Sequence, residues 1–362
     1  WDKYEGIDEV INTFRANCDR LDEFPQLTFT ASSLQFYEWV RDHDGRLFDR
    51  IAAHVAAGRW EVAGGWWVEA DSNLPSGESL RMQAEVAQAF CRRYFGRAVE
   101  VAYLPDTFGH PATLPALLAE TGFRYFLFCR PGLHEKPDLP SNLFYWEHDG
   151  KRVLSYRLKH HYLQGGPSGA RLRLLDDDEY RRMPVNAFLF GLGDHGGGPS
   201  IGEIRLHETF IAGRPPGDAG FSSCQAFFRE AETATRDIPV YRGDLHRHAV
   251  GCYSVMRPLK EAVRHAEHGL AFAGRALRLA GRTEEALAPL WKTTLFNQFH
   301  DILPGSCAPR AAVVCQDEMG GVAQACRDLA YASLKTVSGA CPVQTPEGEF
   351  RIFNTLPYPV TL

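Results

Sequence analysis

Short apolar, β-prone runs alternate with helical stripes over residues 1 to about 230, and that rhythm limits the folds open to the chain more than any other feature. Strand, helix and strand in succession suggest βα units and a largely parallel sheet. Glu9 to Phe24 reads as an amphipathic helix, Gln26 to Ala31 as a strand, and Ser33 to Val55 as helical stretches. Trp60 to Val68 is aromatic, β-prone and bounded by glycine, and Ser79 to Phe95 is helical with Gly96 as its stop. Val99 to Leu104 reads as strand, Pro111 to Thr121 as helix, and Phe123 to Phe128, Val153 to Leu158 and Asn186 to Gly191 as strands. From Arg257 the period turns helical. Leu259, Val263, Ala266, Leu270, Ala273 and Leu277 share one stripe, and helices at Thr283 to Phe299 and Arg310 to Lys335 follow, so a three-helix bundle is expected over 251–340. Cys341 to Glu349, with Pro342, Pro346 and Gly348, reads as a linker, and Phe350 to Asn354 as the first strand of a further domain over 341–362.

Composition removes several classes of function. At 362 residues and 44% hydrophobic, the chain can bury a large core and exceeds one usual domain. Net charge is −6 and the basic residues are dispersed, so the electrostatic footprint of a nucleic-acid binder is absent. Nine cysteines, never in a C-x-x-C pair, signal neither a disulfide framework nor a thiolate zinc site; reduced, mostly buried thiols are expected. No apolar run approaches the roughly 20 residues that span a bilayer, so no membrane is expected. The first residues are unlike a signal peptide, which suggests a cytoplasmic protein, and the missing initiator Met suggests a fragment.

Two stretches carry chemistry. Val99 to Leu104 stops at Pro105 and delivers Asp106 to the loop beyond, in Tyr103-Leu104-Pro105-Asp106-Thr107-Phe108-Gly109-His110. In α/β folds, carboxylates at the C-terminal ends of strands are where chemistry collects. Far downstream, Asn297-Gln298-Phe299-His300-Asp301-Ile302-Leu303-Pro304-Gly305-Ser306 sets a metal-competent imidazole beside a carboxylate. Together with Gly58-Arg59-Trp60-Glu61 through Pro75-Ser76-Gly77-Glu78-Ser79, both stretches resemble the family 38 glycoside hydrolases, the zinc-dependent retaining α-mannosidases.

The resemblance implies a distorted (β/α) barrel-like catalytic domain over 1–250, the three-helix bundle, and the start of a β-sandwich domain. It makes Asp106 the nucleophile and a zinc ligand, with zinc holding vicinal sugar hydroxyls as a template. His300 would be a second ligand, and Asp301 would accept from sugar hydroxyls. The family's site has four protein ligands, two of them from a His-x-Asp motif that this sequence lacks, so one Zn2+ with half its shell is expected. Asp194, in Gly191-Leu192-Gly193-Asp194-His195-Gly196-Gly197-Gly198, is the acid/base candidate. His195 stands where relatives place Gly or Asp, leaving open whether Asp194 is the proton donor or structural. Phe108 would offer a ring face to the sugar, Arg130 would reach the nucleophile and a sugar hydroxyl, and Tyr253 would contact sugar through its hydroxyl. Glu69 and Asp71 would shape the barrel mouth. The expected partner is a mannose-containing glycan, with a homo-oligomer open. A noncatalytic glycan-binding fragment and a metal-dependent deacetylase on a related barrel are the competing readings; the missing His-x-Asp favours the first, and Asn-Gln-Phe-His-Asp in a helical bundle argues against the second.

Overall fold

The computed structural model describes residues 3–159, 162, 183–193, 196–337, 353–356 and 358–359. They divide into two compact units, Trp1–Asn73 with Gln83–Val250, and Leu74–Met82 with Gly251–Leu362. The order of elements begins α1 (Lys3–Glu23), β1 (Phe29–Ala31), α2 (Leu34–His43), α3 (Gly45–Ala56), β2 (Trp60–Val62) and α4 (Gly77–Phe95). It continues β3 (Val101–Leu104), α5 (Leu114–Glu120), β4 (Tyr125–Phe128), β5 (Leu143–His148) and β6 (Lys151–Arg157). After these come α6 (Ile201–Ala212), α7 (Cys224–Ala234), β7 (Val240–Tyr241), α8 (Arg257–Leu279), α9 (Ala288–Phe296) and α10 (Pro309–Val337).

In the first unit the described strands form two sheets, a parallel β1–β2 pair and a five-stranded sheet ordered β3-β4-β6-β5-β7. Closure into a barrel is not seen among them. The β1–β2 ladder runs three residues before Gly64 and Gly65 turn to φ 84° and 57°, and one main-chain bond, Gly64 N–H to Val101 O at 3.0 Å, reaches β3. The larger sheet is parallel except at β5, which pairs antiparallel with β6. That strand was not expected. Its signal is Asp149-Gly150, both at positive φ (48° and 72°), the two-residue turn whose twist matches a hairpin. The expected strand Asn186 to Gly191 has no ladder among the described residues; Leu192 and Gly198 instead pair across the glycine-rich turn at 2.9 and 3.0 Å. Most of Phe350 to Asn354 lies outside the described residues.

All four residues of β4 are buried, because both faces of the sheet are covered. On one face Tyr125 stacks on Phe228 of α7, ring centroids 4.9 Å apart, and Tyr156 meets Phe227 at 4.7 Å. On the other, Phe126, Phe128 and Trp146 surround the His110 ring. Each such aromatic contributes about 1.5–3 kcal/mol of burial free energy, which fixes the sheet whose strand ends carry the candidate site. In the second unit α8, α9 and α10 pack on one another. The buried stripe of α8 is the one read from the sequence, and half-buried Gly269 beside it allows close approach: a Cβ there would lie 3.2 Å from that of Cys326. The expected helix Thr283 to Phe299 is a 3-10 turn, Glu285–Leu287, leading into α9 and then turns. No disulfide joins the described cysteines, and no described helix is long and apolar enough to cross a membrane.

Candidate active site

Register places the first pair of side chains. Leu104 and Phe128 are partners at the ends of parallel β3 and β4, and Asp106 and Arg130 each stand two residues beyond. They meet there as an ion pair, Arg130 Nη2 lying 2.5 Å from Asp106 Oδ1, and each remains about one-fifth exposed (22% and 20%), so solvent or a ligand can reach them. The Tyr162 hydroxyl also bonds to Asp106; burial first, and that carboxylate second, push the phenol above its ordinary range. Arg130 thus holds one side of Asp106 and Tyr162 another. Tyr162 was not anticipated, and nothing in the sequence around it marks it.

On its other side Arg130 Nη1 bonds His248 Nε2, and His248 Nδ1 lies 2.7 Å from Glu135 Oε1. Burial opposes ionisation of Glu135, but the Gly132 N–H at 2.7 Å and His248 outweigh it and hold the carboxyl below its ordinary value. The Phe108 ring is buried against this group, 5.7 Å from the Arg130 guanidinium carbon and 5.5 Å from the His248 ring.

The two sequence stretches around Glu69 and Asp106 are bonded side by side. Thr107 Oγ1 donates to Ala70 O at 3.1 Å, and Ser72 Oγ and Asn73 Nδ2 both donate to Gly109 O at 2.9 Å. Asp71, wholly buried, accepts from Asn73 N–H at 2.9 Å, and Glu69 accepts from Ser32 Oγ. His110 Nδ1 is 3.0 Å from Ser72 Oγ; burial, then the neighbouring His246, lower its pKa to about 3, so the ring is neutral. These contacts fix the loop that carries Asp106.

The second unit holds the remaining described candidates. His300 is buried in the turns after α9, its ring 4.2 Å from Phe299. Asn297 Nδ2 donates to Glu318 at 2.6 Å and Gln298 Nε2 to buried Glu267 at 3.0 Å, so the first two residues of that signature are anchors. Asp301 is exposed and accepts from Ser306 Oγ at 3.0 Å, while half-buried Tyr253 sits in the 3-10 turn Val250–Ser254. Asp194 and His195 lie outside the described residues, and among the described residues no three His, Cys, Asp or Glu side chains gather to hold a metal.

A family model described as the glycosyl hydrolases family 38 N-terminal domain matches residues 1–244. The chain belongs to glycosyl hydrolase family 38. The alpha mannosidase middle domain of this family matches residues 245–337. Among curated relatives, alpha-mannosidase 2C1 of Homo sapiens is 30% identical over 99% of this chain and 35% of its own length. Alpha-mannosidase G of Dictyostelium discoideum is 29% identical over 94% of this chain and 32% of its own. The chain therefore spans about a third of the length of these relatives. An alpha-mannosidase from Enterococcus faecalis V583 superposes with a TM-score of 0.78 over 93% of this chain and 41% of that one, at 15% identity, a likeness of fold.

Proposed function

We propose that the chain carries the nucleophile end of a retaining α-mannosidase, with Asp106 attacking the anomeric carbon of a terminal α-mannoside. One observation carries this reading: the carboxylate of Asp106, at the C-terminal end of β3, is held by Arg130 on one side and Tyr162 on the other while staying open to solvent. A nucleophile needs that combination of fixed aim and access. In the first step a carboxylate oxygen of Asp106 forms an ester bond to C1 as the bond from C1 to the leaving oxygen breaks, and an acid gives that oxygen its proton. Water then attacks C1, losing a proton to the same group, and Asp106 leaves. The acid proposed from the sequence is Asp194. Arg130 and Tyr162 keep the attacking oxygen aligned throughout.

Zinc enters as part of the proposal, with Asp106 and His300 each a donor of a type that the ion accepts. The fit is one of donor chemistry, since among the described residues no three such side chains gather. When bound, the ion would hold vicinal hydroxyls of the sugar. Asp301 and Tyr253 are proposed as sugar contacts, and a mannose-containing glycan as the substrate.

Asp106→Asn should lower turnover of p-nitrophenyl α-mannoside roughly 1,000-fold or more while the chain stays folded. A slow fluorinated mannoside should label Asp106 covalently. Substantial turnover in Asp106→Asn, or a label on Glu69 or Asp194, would sink the assignment.

A further inference from the structure

A second hydrogen-bonded chain runs from Arg130 away from Asp106. The guanidinium has only donors, so a nitrogen facing Nη1 must accept, and His248 Nε2 therefore carries no proton. The proton of the neutral ring sits on Nδ1, where Glu135 Oε1 at 2.7 Å accepts it. A carboxylate behind an imidazole fixes its tautomer and its ring orientation. Glu135 is itself fixed, because its carboxylate accepts from Gly132 N–H at 2.7 Å. The loop that bears it is clamped to β6 by buried Arg157, which donates to Lys136 O at 2.7 Å and to Gly132 O at 3.3 Å.

The backbone around His248 is equally constrained. Three residues upstream, Leu245 pairs with His110 through two main-chain bonds of 2.8 and 2.9 Å. Arg247 and Ala249, on either side of His248, have φ of 103° and 43°, a region that residues with a Cβ rarely adopt unless their surroundings impose it. The Phe108 ring packs against both the imidazole and the guanidinium, which closes the remaining direction of movement. Arginine has four flexible side-chain torsions, and a contact to Asp106 at one edge leaves the fork free to pivot. A second contact at Nη1 removes that freedom.

We propose that His248, oriented by Glu135, is a positioning residue that sets the Arg130 guanidinium against Asp106. This deepens the reading of Asp106 as nucleophile and rests on it. His248 touches neither the carboxylate nor the reacting bond in this arrangement; it acts through Arg130. Its loss should disturb the aim of the attack more than the binding of the sugar, so kcat should fall with little change in KM.

The test has two arms on the full chain. In the kinetic arm, His248→Ala should lower kcat for p-nitrophenyl α-mannoside about tenfold to a hundredfold with KM within about twofold. His248→Gln, which keeps an acceptor and an amide donor, should recover most of that loss. Glu135→Gln combined with His248→Ala should be no worse than His248→Ala alone, because the two residues act as one unit. Additive losses, a change confined to KM, or a His248→Gln variant as poor as His248→Ala would overturn the proposal. In the second arm, nitrogen-15 NMR of histidine-labelled wild-type chain, assigned with His248→Gln, should find His248 neutral with an unprotonated Nε2, and its signal should move in Glu135→Gln and in Arg130→Lys. An Nε2–H tautomer, or a signal indifferent to both substitutions, would overturn it without any assay of activity. Absence of α-mannosidase turnover in the wild type would refute the functional reading instead, and the NMR arm would still decide the arrangement.

Discussion

Gly109 sets how closely the loop after β3 can meet the segment after β7. Its φ is 124°, and a Cβ there would lie 2.8 Å from Leu245 O and 3.2 Å from His246 Cα. Gly109→Ala should therefore cost about 2–3 kcal/mol in urea unfolding, through a forbidden backbone region and a clash with main chain that cannot move aside. An unchanged midpoint would mean that the Leu245 contact is dispensable. Next to it, His110 makes stability depend on pH. Its folded pKa is depressed from 6.5 to about 3, by burial and then by His246, so between these values the unfolded chain binds a proton that the folded chain refuses. Stability from this group is fully present above pH 6.5 and is lost as pH falls toward 3, with a slope of up to about 1.4 kcal/mol per pH unit. His110→Gln should flatten the loss measured by urea unfolding between pH 7 and pH 5; an identical slope in both proteins would refute that origin.

Among the elements, α7 shows how a signature residue can serve structure. Glu61 lies in β2, within the Gly-Arg-Trp-Glu stretch that helped identify the family, yet its carboxylate accepts from the first N–H groups of α7, Cys224 at 2.7 Å and Gln225 at 2.8 Å. A negative charge at a helix N-terminus satisfies donors that the helix leaves open. Glu61→Ala should cost about 1–2 kcal/mol in chemical unfolding and should leave the KM for an aryl mannoside unaltered. A raised KM with unaltered stability would reverse that division of labour. Its neighbours in the stretch are structural too: Trp60 Nε1 donates to Tyr37 Oη at 2.9 Å, and Arg59 Nη2 donates to Phe24 O at 2.5 Å. In the turns after α9, Gln298→Ala would strip a donor from Glu267, a buried carboxylate that also accepts from Ser76 N–H at 2.8 Å and pairs with Arg264 at 2.6 Å. A loss of about 2 kcal/mol is expected, because a buried charge left short of a partner keeps its desolvation cost.

For the whole molecule the proposal about metal is decided by composition. Metal analysis of the dialysed chain and of His300→Ala should find less zinc in the variant; equal contents would leave His300 as a buried turn residue. The sequence by itself determined a good deal here. The alternation of β-prone runs and helical stripes marks β1, β3, β4 and β6 within a few residues, and β2 at its start though it ends at Val62 rather than Val68, since period and apolar content are local properties that neighbours in the chain express directly. The stripe from Leu259 to Leu277 marks α8 in the same way, and Asp106 at the end of an apolar run marks itself as a candidate. Beyond the Arg130 that the family resemblance implied, tertiary structure alone decided what surrounds that carboxylate. Arg130 lies beside Asp106 because parallel register aligns two strand ends 24 residues apart in sequence, and pairing register is not written in either strand. His248 and Glu135, 113 residues apart, meet because Leu245 bridges His110 and Arg157 clamps the loop of Glu135. A histidine tautomer and an arginine's aim depend on which groups are brought within hydrogen-bonding distance, and that distance exists only after the chain has folded.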